Sequence, residues 1–202
     1  MLTTVATVTL RILFFRAGPQ DLPYAPTLTR LLIPFALVVN FALASLTLPS
    51  GLAAVSAAMA VLGLSVTTRS LLRLRNMENR YTQTFQALLL TSTLIALAFI
   101  APLSQLMPEI LKIAQNPQLI EQNPAALNLP AGPVLLFDLL LIWNFAVSAH
   151  VYRQAADLKL VVGVLVSMLV SISLLMFVGF ATSVIGSLLG LAQPAVGAGV
   201  GG

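Results

Sequence analysis

Asp138 is the only acidic residue inside an apolar stretch long enough to cross a membrane, and an ionisable group there is by default a candidate for proton or ion chemistry. Its place in the stretch counts against that role. Asp138 follows the start of the stretch at Val134 by four residues, so water at the outer interface would reach it, or it would cap the helix start. The single histidine, His150, stands twelve residues further on. That is about 18 Å along a helix, out of reach for an acid–base pair. With Tyr152 and Arg153 beside it, His150 reads as an interfacial anchor. Asn40, near the middle of the first apolar stretch, is the most deeply placed strong hydrogen-bonding side chain, and Thr91, Ser92 and Thr93 come early in the third. Between helices such groups contribute about 0.6–2 kcal/mol each and commonly do no more than hold helices together.

Other chemistries lack their parts. The chain has no Gly-rich phosphate loop, no His-Glu-x-x-His, no Gly-x-Ser-x-Gly and no pair of intramembrane carboxylates. It has no cysteine, which excludes disulfides and thiolate metal sites, and one histidine is too few for a His-based metal centre. No catalytic, cofactor-binding or metal-ligating residue is assigned, and no cofactor is expected.

What must position these residues is a membrane. A soluble domain of this size keeps about a quarter of its residues charged; here 8% are charged, 58% are hydrophobic and the mean hydropathy is +0.99. Lipid therefore covers most of the surface. Five apolar stretches run about Leu31–Leu48, Leu52–Thr68, Phe85–Met107, Val134–Val151 and Leu160–Leu189. Pro34 falls in the expected first turn of the first, where a missing N–H does least harm. Nine of the ten Lys and Arg lie before the first stretch, between the second and third, or between the fourth and fifth; only Lys112 lies elsewhere. By the positive-inside rule the amino terminus and the segments Arg69–Arg80 and Arg153–Lys159 are cytoplasmic. Pro49–Gly51, Pro108–Pro133 and the carboxyl end are then outside. The high pI reflects this placement beside spans, not a nucleic-acid surface.

Several smaller expectations accompany the layout. Met1–Phe15 is too short to span. It alternates Thr4, Thr7 and Arg11 with Leu2, Val5, Val8, Ile12 and Phe15 at helical spacing, which predicts an amphipathic helix in the cytoplasmic interface; the plainer reading is a frayed tail. No cleavable signal peptide is evident, because a basic n-region is lacking and Arg11 and Arg16 follow the apolar part. In the outer loop, 108–133, the pairs Pro108-Glu109, Asn116-Pro117 and Asn123-Pro124 place proline where short helices would start, giving a lid for the bundle or a binding surface. Residues 191–202 are Gly- and Ala-rich and are expected to be disordered.

Two groups of side chains are candidates for contacts with partners. Arg69, Arg73, Arg75 and Arg80 make the most basic gap in the chain, suited to anionic lipid or an acidic partner, or to setting orientation alone. Small residues recur at Ala53, Ala57, Ala54 and Ala58 on the second span. On the last span they recur at Gly163, Ser167, Ser171, Gly179 and Ser183, with Gly186 and Gly190 four apart. Such faces let helix backbones approach, within one molecule or between copies.

The amphipathic first segment, the five stretches, the inner basic gap and Trp143-Asn-Phe-Ala-Val-Ser-Ala-His150 leading into the last span resemble the Yip1 superfamily of small integral membrane proteins over about Arg11–Leu189. The resemblance implies a membrane organiser with no catalytic residues. Eukaryotic members bind small GTPases through cytoplasmic amino-terminal regions, a partner class that about thirty residues before the first span does not support. The expected fold is an all-α polytopic membrane bundle: residues 1–30 as interfacial helix and linker, 31–190 as five spans, and a terminal tail. The expected function is a non-enzymatic scaffold or accessory subunit of the bacterial inner membrane, bound to lipids and to another membrane protein or its own copies. The alternative is a small oligomeric transporter or channel using Asp138 and Asn40. A lipid-modifying enzyme comes last, for want of a nucleophile.

Overall fold

The computed structural model describes residues 2–115 and 129–191. Among them lie six α-helices and no strand: α1 Leu2–Leu13, α2 Pro26–Ala44, α3 Ser50–Leu74, α4 Tyr81–Gln115, α5 Ala131–Ala155 and α6 Leu160–Leu188. The last five are each long and apolar enough to cross a membrane, and the chain is a membrane-embedded helical bundle. The loop segment 116–128, with Asn116-Pro117 and Asn123-Pro124, and the tail 192–202 lie outside the described residues.

Proline and left-handed residues set the helix ends. Pro26 opens α2, where its missing N–H has no partner to lose, and Pro49 and Pro130 cap α3 and α5. Four helices then close in the same way, with a residue at positive φ just past the end: Phe15 (59°), Asn76 (56°), Asp157 (49°) and Gly190 (65°). In each case the next N–H reaches back to a carbonyl of the last turn: Arg16 to Arg11 at 2.7 Å, Met77 to Leu72 at 2.8 Å, Leu158 to Arg153 at 2.9 Å and Leu191 to Gly186 at 2.8 Å. These caps end each helix sharply, so the chain can turn within a few residues.

Several helix bounds differ from the sequence reading, three of them at residues singled out there. α2 begins at Pro26 rather than Leu31, so the expected boundary at residue 30 falls inside a helix. Pro34 accordingly sits in the helix interior, where it leaves the Arg30 carbonyl without its usual i+4 donor. α3 continues to Leu74, which puts Arg69 and Arg73 on helix rather than in a gap. α4 passes through Pro102 and Pro108 to Gln115, so Pro108 does not open a new helix and residues 108–115 of the expected outer loop continue α4. Proline costs a helix its own N–H and one contact with the turn before it, a local defect that an apolar helix packed on neighbours absorbs.

The helices form a closed ring in the order α2, α3, α6, α5, α4 and back to α2, with α3 and α4 also touching across it. The main core joins Val5, Val8 and Ile12 of α1, Leu22 of the following segment and Leu28 of α2 to Leu88 and Ile95 of α4 and Val147, Val151 and Tyr152 of α5. Of the apolar face read for α1, Val5, Val8 and Ile12 are buried, opposite exposed Thr4, Thr7 and Arg11, but Phe15 lies past the helix end and is exposed, and Thr9 is buried in its place. That apolar face rests on α4 and α5, while Leu10 and Phe14 stay exposed on the outside of the bundle.

Candidate functional site

All three basic segments meet at one end of the bundle. Arg80 donates to the carbonyls of Gln154 and Ala155 at 3.4 and 3.3 Å, linking the start of α4 to the end of α5, whose last carbonyls carry partial negative charge. The Gln154 side chain accepts from Gln20 at 2.8 Å, and the His150 Nε2 lies 2.9 Å from the Ala17 carbonyl. Gln83 donates to the Leu22 carbonyl at 2.6 Å; fully buried Gln86 donates to the Ala25 carbonyl at 2.7 Å and to the Thr29 hydroxyl at 2.8 Å. Two glutamines one turn apart on α4 thus tie down the backbone of the 18–25 segment: Gln83 takes the Leu22 carbonyl, and Gln86 shares the Ala25 carbonyl with the Leu28 N–H of the first turn of α2. Sequence reasoning misses Gln83 and Gln86. Their signal is spacing: two long amides three apart at the start of an otherwise apolar span.

The sequence-derived candidates divide. Arg80 is engaged as described, and Arg73 pairs with Glu78 at 3.3 Å with both side chains largely in the open. Arg69 and Arg75 are exposed at the same end. His150 lies edge-on to Phe15, their ring centroids 5.4 Å apart, and Phe15 and Phe14 each lie 5.7 Å from Trp143. The stretch Trp143–His150 is thus the seat on which the end of α1 rests. Tyr152, buried one turn from the end of α5, places its hydroxyl 3.2 Å from that of Thr68 on α3.

Asp138 and Asn40 are not brought together. Asp138 is exposed on α5, whereas the Asn40 amide donates to the Ala36 carbonyl of its own helix at 2.8 Å. Asn40 lines a cavity of about 230 Å³ with Thr47, Ser56 and Leu103, between α2, α3 and α4, to which Asp138 contributes nothing.

The small-residue stripe of α6 also splits. Gly163 and Ser167 are buried, and a Cβ at residue 163 would stand 2.8 Å from the Arg153 Cβ, so this glycine lets α6 start against the end of α5. Gly186 is buried against Leu52. Ser171, Gly179 and Ser183 are exposed, and Gly190 serves by its positive φ to end the helix, not to pack it. A helix that turns about 100° per residue cannot keep residues 163 to 190 on one straight face, so a stripe of this length wraps away from its neighbours. A further close contact of α3 with α6 is at Gly63, where a Cβ would lie 2.6 Å from Leu174 and 2.8 Å from Phe177.

A cavity of about 530 Å³ opens between α2, α3 and α4 at the basic end. Ile33 and Leu37 of α2, Ala58 and Leu62 of α3 and Phe85 of α4 form its apolar walls. Thr29, Arg30, Ser65 and Tyr81 stand at the end of it nearest the basic segments, where the Ser65 and Tyr81 hydroxyls are 2.7 Å apart and the Tyr81 ring stacks on Phe85. Among the described residues no group of three or more His, Cys, Asp or Glu is placed to hold a metal ion. No family model, curated protein or solved structure matches the chain.

Proposed function

We propose that this protein is a non-enzymatic membrane scaffold or accessory subunit, Yip1-like in layout, in the bacterial inner membrane with its basic end in the cytoplasm. One observation carries the reading: the basic end is built as a platform. Arg80, Gln83, Gln86 and His150 are engaged with backbone carbonyls that hold the helix ends and the 18–25 segment in place. Arg69 and Arg75 project from the platform so made, beside Arg73. Polar side chains used in this way fix a shape, and exposed guanidinium groups on a fixed shape suit an acidic partner or anionic headgroups. Lipids and a second membrane protein, or a further copy of the chain, are the partners proposed.

The test is extraction from the native membrane in mild detergent, comparing the protein with a variant carrying Arg69→Gln, Arg73→Gln and Arg75→Gln. A stoichiometric membrane partner that is retained by the former and lost from the latter is the expected result. Equal partner yield from both removes the platform from the account of function.

A further inference from the structure

We propose that the groove between α2, α3 and α4 is a binding site for one anionic phospholipid of the inner leaflet, its phosphate on Arg30 and one acyl chain between α2 and α3. The proposal does not depend on the scaffold reading; only the leaflet rests on the orientation proposed above.

Its chemistry is graded along the membrane normal. α2 and α4 leave the basic end as α3 returns to it, so Thr29, Arg30, Ser65 and Tyr81 lie at one level and Ile33, Leu37, Ala58 and Phe85 lie deeper. The groove is thus cationic and hydroxyl-bearing where headgroups lie, and apolar where hydrocarbon lies. A water-soluble ligand would have no use for that order. The volume, about 530 Å³, is in the range of sites that enclose a drug-sized ligand, so one chain fits and a whole helix does not.

The charge is available. Arg30 is exposed at the groove mouth, and the ion pairs among the described residues are those of Arg73 with Glu78 and Lys112 with Glu109. A guanidinium offers a planar fork that matches phosphate oxygens, and the adjoining Thr29 and Tyr81 hydroxyls can donate to the same group. Ser65 holds the Tyr81 hydroxyl at 2.7 Å, and the Phe85 ring lies parallel to Tyr81, centroids 5.6 Å apart, so the aromatic wall is set before a lipid arrives. The side wall of α3 is small at Ala58, which opens the groove towards the bilayer, from which a lipid enters sideways.

The experiment measures bound phospholipid per chain by native mass spectrometry after exhaustive detergent washing, then after re-exposure to vesicles of phosphatidylglycerol or of phosphatidylcholine. The unaltered protein should keep one phospholipid and rebind phosphatidylglycerol in preference, with inorganic phosphate failing to compete. Ala58→Phe fills the groove from an exposed helix face and should abolish retention of either lipid. Leu62→Trp, on the same face, is the second such variant should the first not fold. Arg30→Gln should keep chain binding and lose about tenfold in headgroup preference, the size of one charge-assisted contact. Retention unchanged by both groove-filling variants overturns the proposal, as does a headgroup preference unmoved by Arg30→Gln. A change of oligomer size in place of lipid loss would overturn it too, and hand the groove to a second copy of the chain.

Discussion

Phe15 shows how much a single residue can be held by its surroundings. A bulky side chain at φ 59° costs about 1–2 kcal/mol over glycine, yet glycine, the usual occupant of such a helix end, is not what the sequence places there. The ring offsets the strain by packing against Trp143 and His150, which keeps the end of α1 on α5. The two contributions separate by substitution. Phe15→Ala loses the ring and keeps the strain; Phe15→Gly loses both, and should be the more stable of the pair by roughly 1 kcal/mol despite removing more atoms. Thermal unfolding of the two variants in one detergent reads the order directly, and the reverse order would mean that residue 15 does not hold its left-handed conformation. Arg80 teaches a related lesson. Spacing alone groups it with its neighbours as a free positive charge, but its guanidinium is occupied by the last carbonyls of α5.

At the scale of the helix, glycines that look alike in sequence do different work. Gly63 sits where Leu174 and Phe177 of α6 cross α3, whereas a Cβ built at Gly179 meets nothing within 4 Å beyond its chain neighbours and its own helix backbone. Gly63→Val should therefore push α3 and α6 apart and cost about 1–3 kcal/mol, the usual penalty for overfilling a packed contact. Gly179→Ala should leave the unfolding temperature unchanged or raise it, because alanine favours helix over glycine by about 1 kcal/mol. A loss of stability at residue 179 equal to that at residue 63 would show α6 packed differently. The same contrast explains the divided stripe: Gly163 and Gly186 each face one neighbour, and the exposed Ser171, Gly179 and Ser183 between them face outward.

The whole molecule has two unlike ends. Nine of ten basic residues belong to segments that gather at the end where α3 finishes and α4 begins. In the proposed orientation, the one the positive-inside rule favours, that end is cytoplasmic. The chain lacks cysteine, so a single introduced thiol reports its own side of the membrane. Asn79→Cys, exposed at the basic end, should react with a membrane-impermeant maleimide only after lysis; Ser50→Cys, exposed at the other, should react in intact spheroplasts. The opposite pattern would invert the topology and move the lipid groove to the outer leaflet.

Five spans and an amphipathic first helix are legible in the order of the amino acids, because each is a local property. Bilayer thickness sets the length of an apolar run, charge placement sets its sense, and the Val5, Val8 and Ile12 stripe of α1 marks a face because polar residues mark its opposite. The spans carry no such mark. In lipid both faces of a helix are apolar, so the pattern that reveals the inward side of a helix in water is nearly absent from α5 and α6. Rotation of each span, the choice of its neighbours, the closure of the ring and the groove at Arg30 are decided by shape and by a few hydrogen bonds between distant residues. Gln86 is the plainest instance: its partners, the Ala25 carbonyl and Thr29, stand about sixty positions earlier, and only the folded chain brings them within 2.8 Å.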